Sequence, residues 1–329
     1  MIDTRLILVN GISGAGKSTT AREISRQLQA NSIPHRWLHE ECSNHPLRIT
    51  KRCPDDANCD DVAAYVDWSI LHWERFTTLV ASEGPLHVVD GYVFQSTILN
   101  MINDEEPIEA IRLFFDRLMA TIAPLQPLLV FLRKRDLRAS FESAWRTRGD
   151  WWKRISIDIP DKVPFSGDEI ASYEERGLRD WERIQRIYQE LVRSASIDTL
   201  PIDTTACEWP VYHRQICDRL QLPYYGAITA TDGATDPAII GTYMDPDEGS
   251  RRIRVKSVDG KTYCESFWPL MELVPVGPMQ FEILSFPILL RFAQNPGTGQ
   301  MRVAVSGGYD WDLDGRTLVR VVSPEEGNR

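Results

Sequence analysis

Eight residues, Gly11-Ile12-Ser13-Gly14-Ala15-Gly16-Lys17-Ser18, constrain this chain more than any other stretch. They satisfy GxxxxGK[ST], and each fixed position has a physical reason. The glycines let backbone N–H groups close around phosphate oxygens, and a helix that starts at the lysine points its positive end at them. Lys17 is of the right length to reach β and γ phosphates, and the Ser18 hydroxyl is a ligand for Mg²⁺. The candidate nucleotide-binding set is therefore Gly11, Ser13, Gly14, Ala15, Gly16, Lys17, Ser18 and Thr19, with ATP as the expected ligand. The context fits. Leu6 to Val9 is an apolar run of strand length, and Ala21, Ile24 and Leu28 then follow at helical spacing.

Further apolar runs repeat that alternation. Strands are expected at 36–39, 86–90 ("LHVVD"), 128–132 ("LLVFL") and 199–203 ("TLPID"). Helices are expected between them, the clearest carrying Ile111, Phe114, Phe115, Leu118, Met119 and Ile122 on one face. Alternating strands and helices imply an α/β fold with a five-stranded parallel sheet covered by helices, over residues 1–222. Residues 223–237 read as a linker rich in Gly, Ala and Thr. Beyond it the apolar period falls to two, as in Ile253 and Val255 between Arg252, Arg254 and Lys256. Asp259-Gly260 and Asp314-Gly315 are hairpin signals. Residues 238–329 are expected to form a small antiparallel sheet or half-barrel of unassigned role.

Charge and composition exclude several classes. The chain has 329 residues and a net charge of −10, with 43% hydrophobic residues. Such a chain buries a normal core and is a poor general binder of nucleic acid or anionic membrane, although a local basic patch is compatible with it. No apolar run approaches the roughly 18 residues of a membrane helix. A cytoplasmic protein with six reduced cysteines is the expectation. His39, Cys42, His45, Cys53 and Cys59 match no strong zinc spacing.

No N-K-x-D motif is present, and the strand at 86–90 ends in Val89-Asp90-Gly91 rather than Asp-Glu. Asp90, at a strand end beside the loop, is suited to hold a Mg²⁺-bound water. Arg133, Arg135, Arg138, Arg146 and Arg148 crowd a segment that reads as a strand followed by a helix. Such a segment can act as a lid whose guanidinium groups neutralise transferring phosphate, with Arg133, Arg146 and Arg148 as the candidates. Trp145, Trp151 and Trp152 beside it suit packing, with base stacking as the other option. After the second strand, Glu40 and Glu41 offer a base for a hydroxyl acceptor. Arg48, Lys51 and Arg52 offer charge for a phosphate acceptor.

The order of these elements resembles the nucleoside/nucleotide kinase group, including thymidylate and deoxynucleoside kinases, over residues 1–222. "VVDGYVFQST", 88–97, is similar to the thymidylate kinase D-R-[YH] segment, with Gly91 where that family has arginine. "QPLLVFLRKRDLRASFESAWRTRG", 126–149, is similar to the strand and lid helix of the same group. The resemblance implies a phosphotransferase using ATP and Mg²⁺, a small-molecule acceptor that is nucleoside/nucleotide-like or another hydroxyl compound, and Glu40 as the base; with Gly91 in place of arginine the acceptor is not assumed to be thymidylate. A second expectation is an ATP-binding regulatory module whose β domain engages a protein. Polynucleotide end-kinase activity, a third, is disfavoured by the acidic balance.

Overall fold

The structure, a computed structural model, describes residues 3–42, 45–48, 62–160, 168–226, 237–266, 268–307 and 313–321. The chain forms two compact units. One comprises Met1–Glu40, Asn44–Glu142 and Arg154–Ala227; the other comprises Glu41–Ser43, Ser143–Lys153 and Ile228–Arg329.

The first unit is built on a parallel sheet of β1 (Leu6–Gly11), β2 (His35–Leu38), β3 (Leu86–Asp90), β4 (Leu128–Arg133) and β5 (Asp198–Asp203), in the order β2-β3-β1-β4-β5. Central strands must be apolar on both faces because helices cover both. Accordingly every residue of β1 and β3 is buried, whereas the edge strands β2 and β5 are mixed. Pro201 lacks an N–H to give to a ladder and sits on edge strand β5, opposite Phe131 of β4. The helices are α1 (Lys17–Ala30), α2 (Val62–Ser82), α3 (Leu99–Asn103), α4 (Ile108–Ile122), α5 (Leu137–Arg148), α6 (Asp150–Ser156), α7 (Asp168–Ser194) and α8 (Trp209–Arg219). The stripe expected between 111 and 122 is the buried face of α4.

The second unit contains β6 (Gly241–Met244), β7 (Arg252–Val258), β8 (Lys261–Glu265), β9 (Met271–Gly277), β10 (Gln280–Ile283), β11 (Leu289–Gln294), β12 (Met301–Ser306) and β13 (Thr317–Val321). Each pairs antiparallel with its neighbours in sequence, and β13 pairs back onto β6 through Val319↔Met244 and Val321↔Thr242. The result is a closed eight-stranded antiparallel barrel, where the sequence pattern indicated a small antiparallel sheet or half-barrel. Closure depends on a pairing between segments more than 70 residues apart, which period-two alternation cannot reveal. Asp259 and Gly260, at φ 49° and 76°, do form the tight turn expected of them, with Val258 opposite Lys261. The barrel interior is filled by side chains, among them Tyr243, Phe281, Phe292, Leu290 and Val303. Among the described residues no helix is long and apolar enough to cross a membrane.

Candidate active site

The phosphate loop joins β1 to α1 at the carboxyl end of the central strand. Gly16 caps α1 with φ 94°, and a Cβ there would stand 2.2 Å from the Trp209 ring at the start of α8. Both the left-handed backbone and the close approach demand glycine. The loop is braced by side chains from neighbouring elements. The Ser140 hydroxyl of α5 donates to the Gly14 carbonyl at 3.2 Å, and the Thr204 hydroxyl after β5 donates to the Ala15 carbonyl at 3.0 Å. These braces tie the Gly14 and Ala15 carbonyls to neighbouring elements, while the Ala15 N–H donates to the Ile12 carbonyl at 3.3 Å within the loop. Lys17 is buried, and its ammonium donates to the Ile12 carbonyl at 3.2 Å across the loop. Lys134 in turn donates to the Thr204 carbonyl at 2.7 Å and lies 3.5 Å from the Cys207 sulfur.

Asp90 ends β3 fully buried, opposite Val9 of β1 and so directly beside the loop. His39 Nε2 lies 3.7 Å from Asp90 Oδ2. The backbone then turns sharply through Gly91 and Tyr92, both left-handed at φ 79° and 63°. The Val93 N–H closes this turn on the Gly91 carbonyl at 2.9 Å. A tyrosine in that region carries strain on the order of 1 kcal/mol. Its contacts offset this: the Tyr92 hydroxyl donates to the Glu40 carbonyl at 3.2 Å, and its ring stacks on His45 at 3.9 Å.

Glu40 is thereby drawn onto the same spot. Its Oε2 lies 2.7 Å from where a Gly91 Cβ would be, and Oε1 of Gln95 lies 3.1 Å from that point. Gln95 sits in a π-helical turn, Phe94–Ile98, held from two sides. The Tyr188 hydroxyl donates to the Phe94 carbonyl at 3.1 Å, and the Phe94 N–H reaches Asn10 Oδ1 at 3.4 Å. Gln95 Oε1 and Asn10 Nδ2 are buried without a hydrogen-bond partner among the described residues, and such orphaned groups at a strand-end crevice suit a polar ligand. His45 Nδ1 accepts from the Leu47 N–H at 3.1 Å, which leaves the ring proton on Nε2. Burial, assisted by His39 and Arg48, pushes its pKa down to about 3, so the ring is neutral near pH 7.

The arginines divide. Arg133 and Arg135 share Asp203 at the end of β5, at 3.6 and 2.5 Å. Asp203 is held below the usual carboxylate range by Thr205 and Arg135 against a raising effect of burial. Arg138 pairs with Glu175. Arg146 is exposed on α5 with no ion pair among the described residues. Arg148 lies in the second unit, its guanidinium between the rings of Trp152 and Trp268 at 4.5 and 4.4 Å. Glu41 is exposed and belongs to the second unit. Lys51, Arg52, Cys53 and Cys59 lie outside the described residues. Among the described residues no group of three His, Cys, Asp or Glu is arranged to hold a metal. A cavity of about 510 Å³ opens beside Thr4, Arg5, Asn31 and Leu220 at the opposite, amino-terminal end of the sheet, and no phosphate-loop residue lines it.

Lys17, Asp90 and Glu40 were singled out from the sequence, and the groups around them were not. Ser140, Thr204 and Trp209 are ordinary residues whose role comes only from where the fold puts them. Tyr92 and Gln95 stood inside a quoted motif, yet nothing in their spacing indicated a left-handed tyrosine or a π-turn.

No family model matches this chain, and no curated relative matches it. Solved structures do. One is the YorR protein in complex with phosphorylated GDP from Bacillus subtilis, 16% identical, with 66% of this chain and 95% of that one covered and a TM-score of 0.35. Another is deoxyadenosine kinase from M. mycoides with bound dATP, 14% identical, with 66% and 99% covered and a TM-score of 0.36. The strand order β2-β3-β1-β4-β5 with a glycine-rich loop after β1 is, on the chain's own geometry, a P-loop α/β fold.

Proposed function

We propose that the protein is an ATP-dependent phosphotransferase acting on a small hydroxyl compound. The observation that carries this reading is the meeting of the Glu40 carboxylate with Gly91 directly after Asp90, next to the phosphate loop. An arginine at position 91, as in the thymidylate kinase segment, would serve a phosphate acceptor. Glycine there leaves the space to a carboxylate, which repels a phosphate and accepts a proton from a hydroxyl.

In the proposed reaction the loop N–H groups and Lys17 hold the β and γ phosphates. The acceptor hydroxyl, aligned by Glu40, attacks the γ-phosphorus as its proton passes to the carboxylate. The bond from the γ-phosphorus to the β–γ bridging oxygen breaks, and ADP leaves. Ser18 and Asp90 supply a hydroxyl and a carboxylate, hard oxygen donors that fit Mg²⁺, which neutralises phosphate charge when bound. Arg133, at the end of β4, is the candidate within this unit to offset charge on the transferring group; Arg146 and Arg148, the other two candidates, belong to the second unit. Gln95 and the neutral His45 are placed to orient the acceptor rather than to move protons.

The test is γ-labelled ATP with a panel of nucleosides, sugars and other polyols, comparing the intact protein with Lys17→Ala and Glu40→Gln. Transfer to one acceptor class, abolished by the first change and cut by the second, is expected. Tight ATP binding with no transfer to any acceptor sinks the reading and leaves the regulatory one.

A further inference from the structure

We propose that the outer face of strands β11, β12, β13, β6 and β7 binds the phosphate backbone of a nucleic-acid strand. β12 alternates between core and solvent throughout, and β7 and β11 do so until their last residues, so the outward residues can be read off. The interior is a packed apolar core and offers no ligand site. Whatever the barrel recognises must meet its outside.

On those five neighbouring strands the outward charged residues are Arg291, Arg302, Arg252, Arg254 and Lys256, with no Asp or Glu among them. On β8 to β10 the outward charges are Lys261, Glu265, Glu272 and Glu282. The barrel is thus polarised, within a chain whose net charge is −10. The acidic balance that argues against nucleic acid for the whole chain does not hold for this surface. The cations are also available. Arg252, Arg254 and Arg302 make no ion pair among the described residues, whereas Lys256 reaches across the seam to Glu265 at 2.9 Å. Acids in the turn between β6 and β7 are mostly neutralised: Arg316 holds Asp245 at 2.5 Å and Arg251 pairs with Glu248, leaving Asp247.

The register sets the spacing. Arg302, Val319, Met244 and Arg252 lie in one row across four strands, which separates the backbones of the two arginines by about 14 Å along the sheet. Arg254 follows Arg252 on the same face about 7 Å further along β7. Together with Arg291 at one corner and Lys256 at the other, the cations run diagonally over the sheet. A line of separated charges matches a chain of phosphates better than a single anion. Arginine predominates, and its planar fork suits phosphate oxygens. Thr242, Thr317 and Ser306 stand between the cations as hydroxyl donors, the usual company of phosphate contacts. Tyr263, the register partner of Lys256, offers a ring at the edge of the track for a base. Among the described residues the outward side chains of these five strands include no aromatic ring, the usual anchor of a protein partner.

Fluorescence anisotropy of the full chain with labelled 20-nucleotide single-stranded DNA and RNA, and with a duplex, across 25–200 mM salt, tests this. Binding is expected with a log–log salt slope of about −2 for single strands, as three neutralised phosphates give. Single changes Arg252→Ala, Arg254→Ala and Arg302→Ala are expected to weaken it several-fold and to flatten the slope. The triple change to Glu is expected to abolish it, while Lys261→Glu on the other side and Lys17→Ala leave it intact. No binding at 25 mM salt, binding indifferent to the three arginines, or equal competition by polyglutamate overturns the proposal. None of these outcomes depends on whether the first unit transfers phosphate.

Discussion

A side chain at position 91 and the carboxylate of Glu40 compete for one volume. A Cβ built on Gly91 meets Glu40 Oε2 at 2.7 Å, and the backbone there is left-handed. Gly91→Ala is therefore expected to cost about 1 kcal/mol from the backbone alone, with a further loss from displacing Glu40. Urea unfolding should show a lower midpoint, and phosphotransfer should fall more steeply than stability. Glu40→Gln keeps the shape and removes the proposed base, so kcat for phosphotransfer is expected to drop by roughly 10²–10⁴ with ATP affinity retained. A Glu40→Gln enzyme with full kcat would remove Glu40 from the chemistry. The loop residues were legible in the sequence because the fixed glycines, lysine and serine each answer a steric or charge requirement. The choice between Glu40 and Glu41 was not, since two adjacent acids after a strand look alike until the turn at Tyr92 selects one. The exposed Glu41 and the Gly91-facing Glu40 differ only in three dimensions.

Elements rather than single residues keep the phosphate loop in shape. The loop hangs between α5, through Ser140, and the segment after β5, through Thr204. Thr204→Val preserves volume and deletes the hydroxyl that serves the Ala15 carbonyl, leaving that carbonyl unsatisfied. A loss of about 1–2 kcal/mol is expected, together with weaker ATP binding measured by calorimetry. Unchanged ATP affinity would show that the brace is redundant. The apolar runs disclosed β1, β3, β4 and α4 nearly to the residue, because strands covered on both faces and helices covered on one have unmistakable periods. The π-helical turn at Phe94–Ile98 was invisible to that reasoning. It is fixed by the Tyr188 hydroxyl and by ring stacking of Tyr188 on Phe94 at 4.5 Å, contacts that come from a helix nearly a hundred residues away.

At the scale of the whole molecule, buried histidines couple stability to pH, and burial lowers His87 as well as His45 and His213. Burial pushes His45 down to about 3 and His213 down to about 4, against 6.5 for a free imidazole. Both are neutral in the fold and protonate more readily once unfolded, so the unfolded chain binds more protons between about pH 6.5 and 4. Their contribution is complete above pH 6.5 and is lost as pH falls, by about 2 kcal/mol each between pH 7 and 5. Glu23, whose carboxyl burial raises above its ordinary value, opposes this in part. The urea midpoint is expected to fall over that interval, and His213→Gln should flatten the dependence; a level profile in the unaltered protein would contradict it. The barrel has a consequence of another kind. Because β13 pairs with β6, its strands form a ring in which the order of chain entry and exit is one choice among eight. A short link between residues 321 and 241, with new ends opened at Asp259-Gly260, preserves every pairing except the turn between β7 and β8. Such a circularly permuted barrel should fold to the same sheet, which makes it a cassette whose point of attachment to a host chain is free to migrate around the rim.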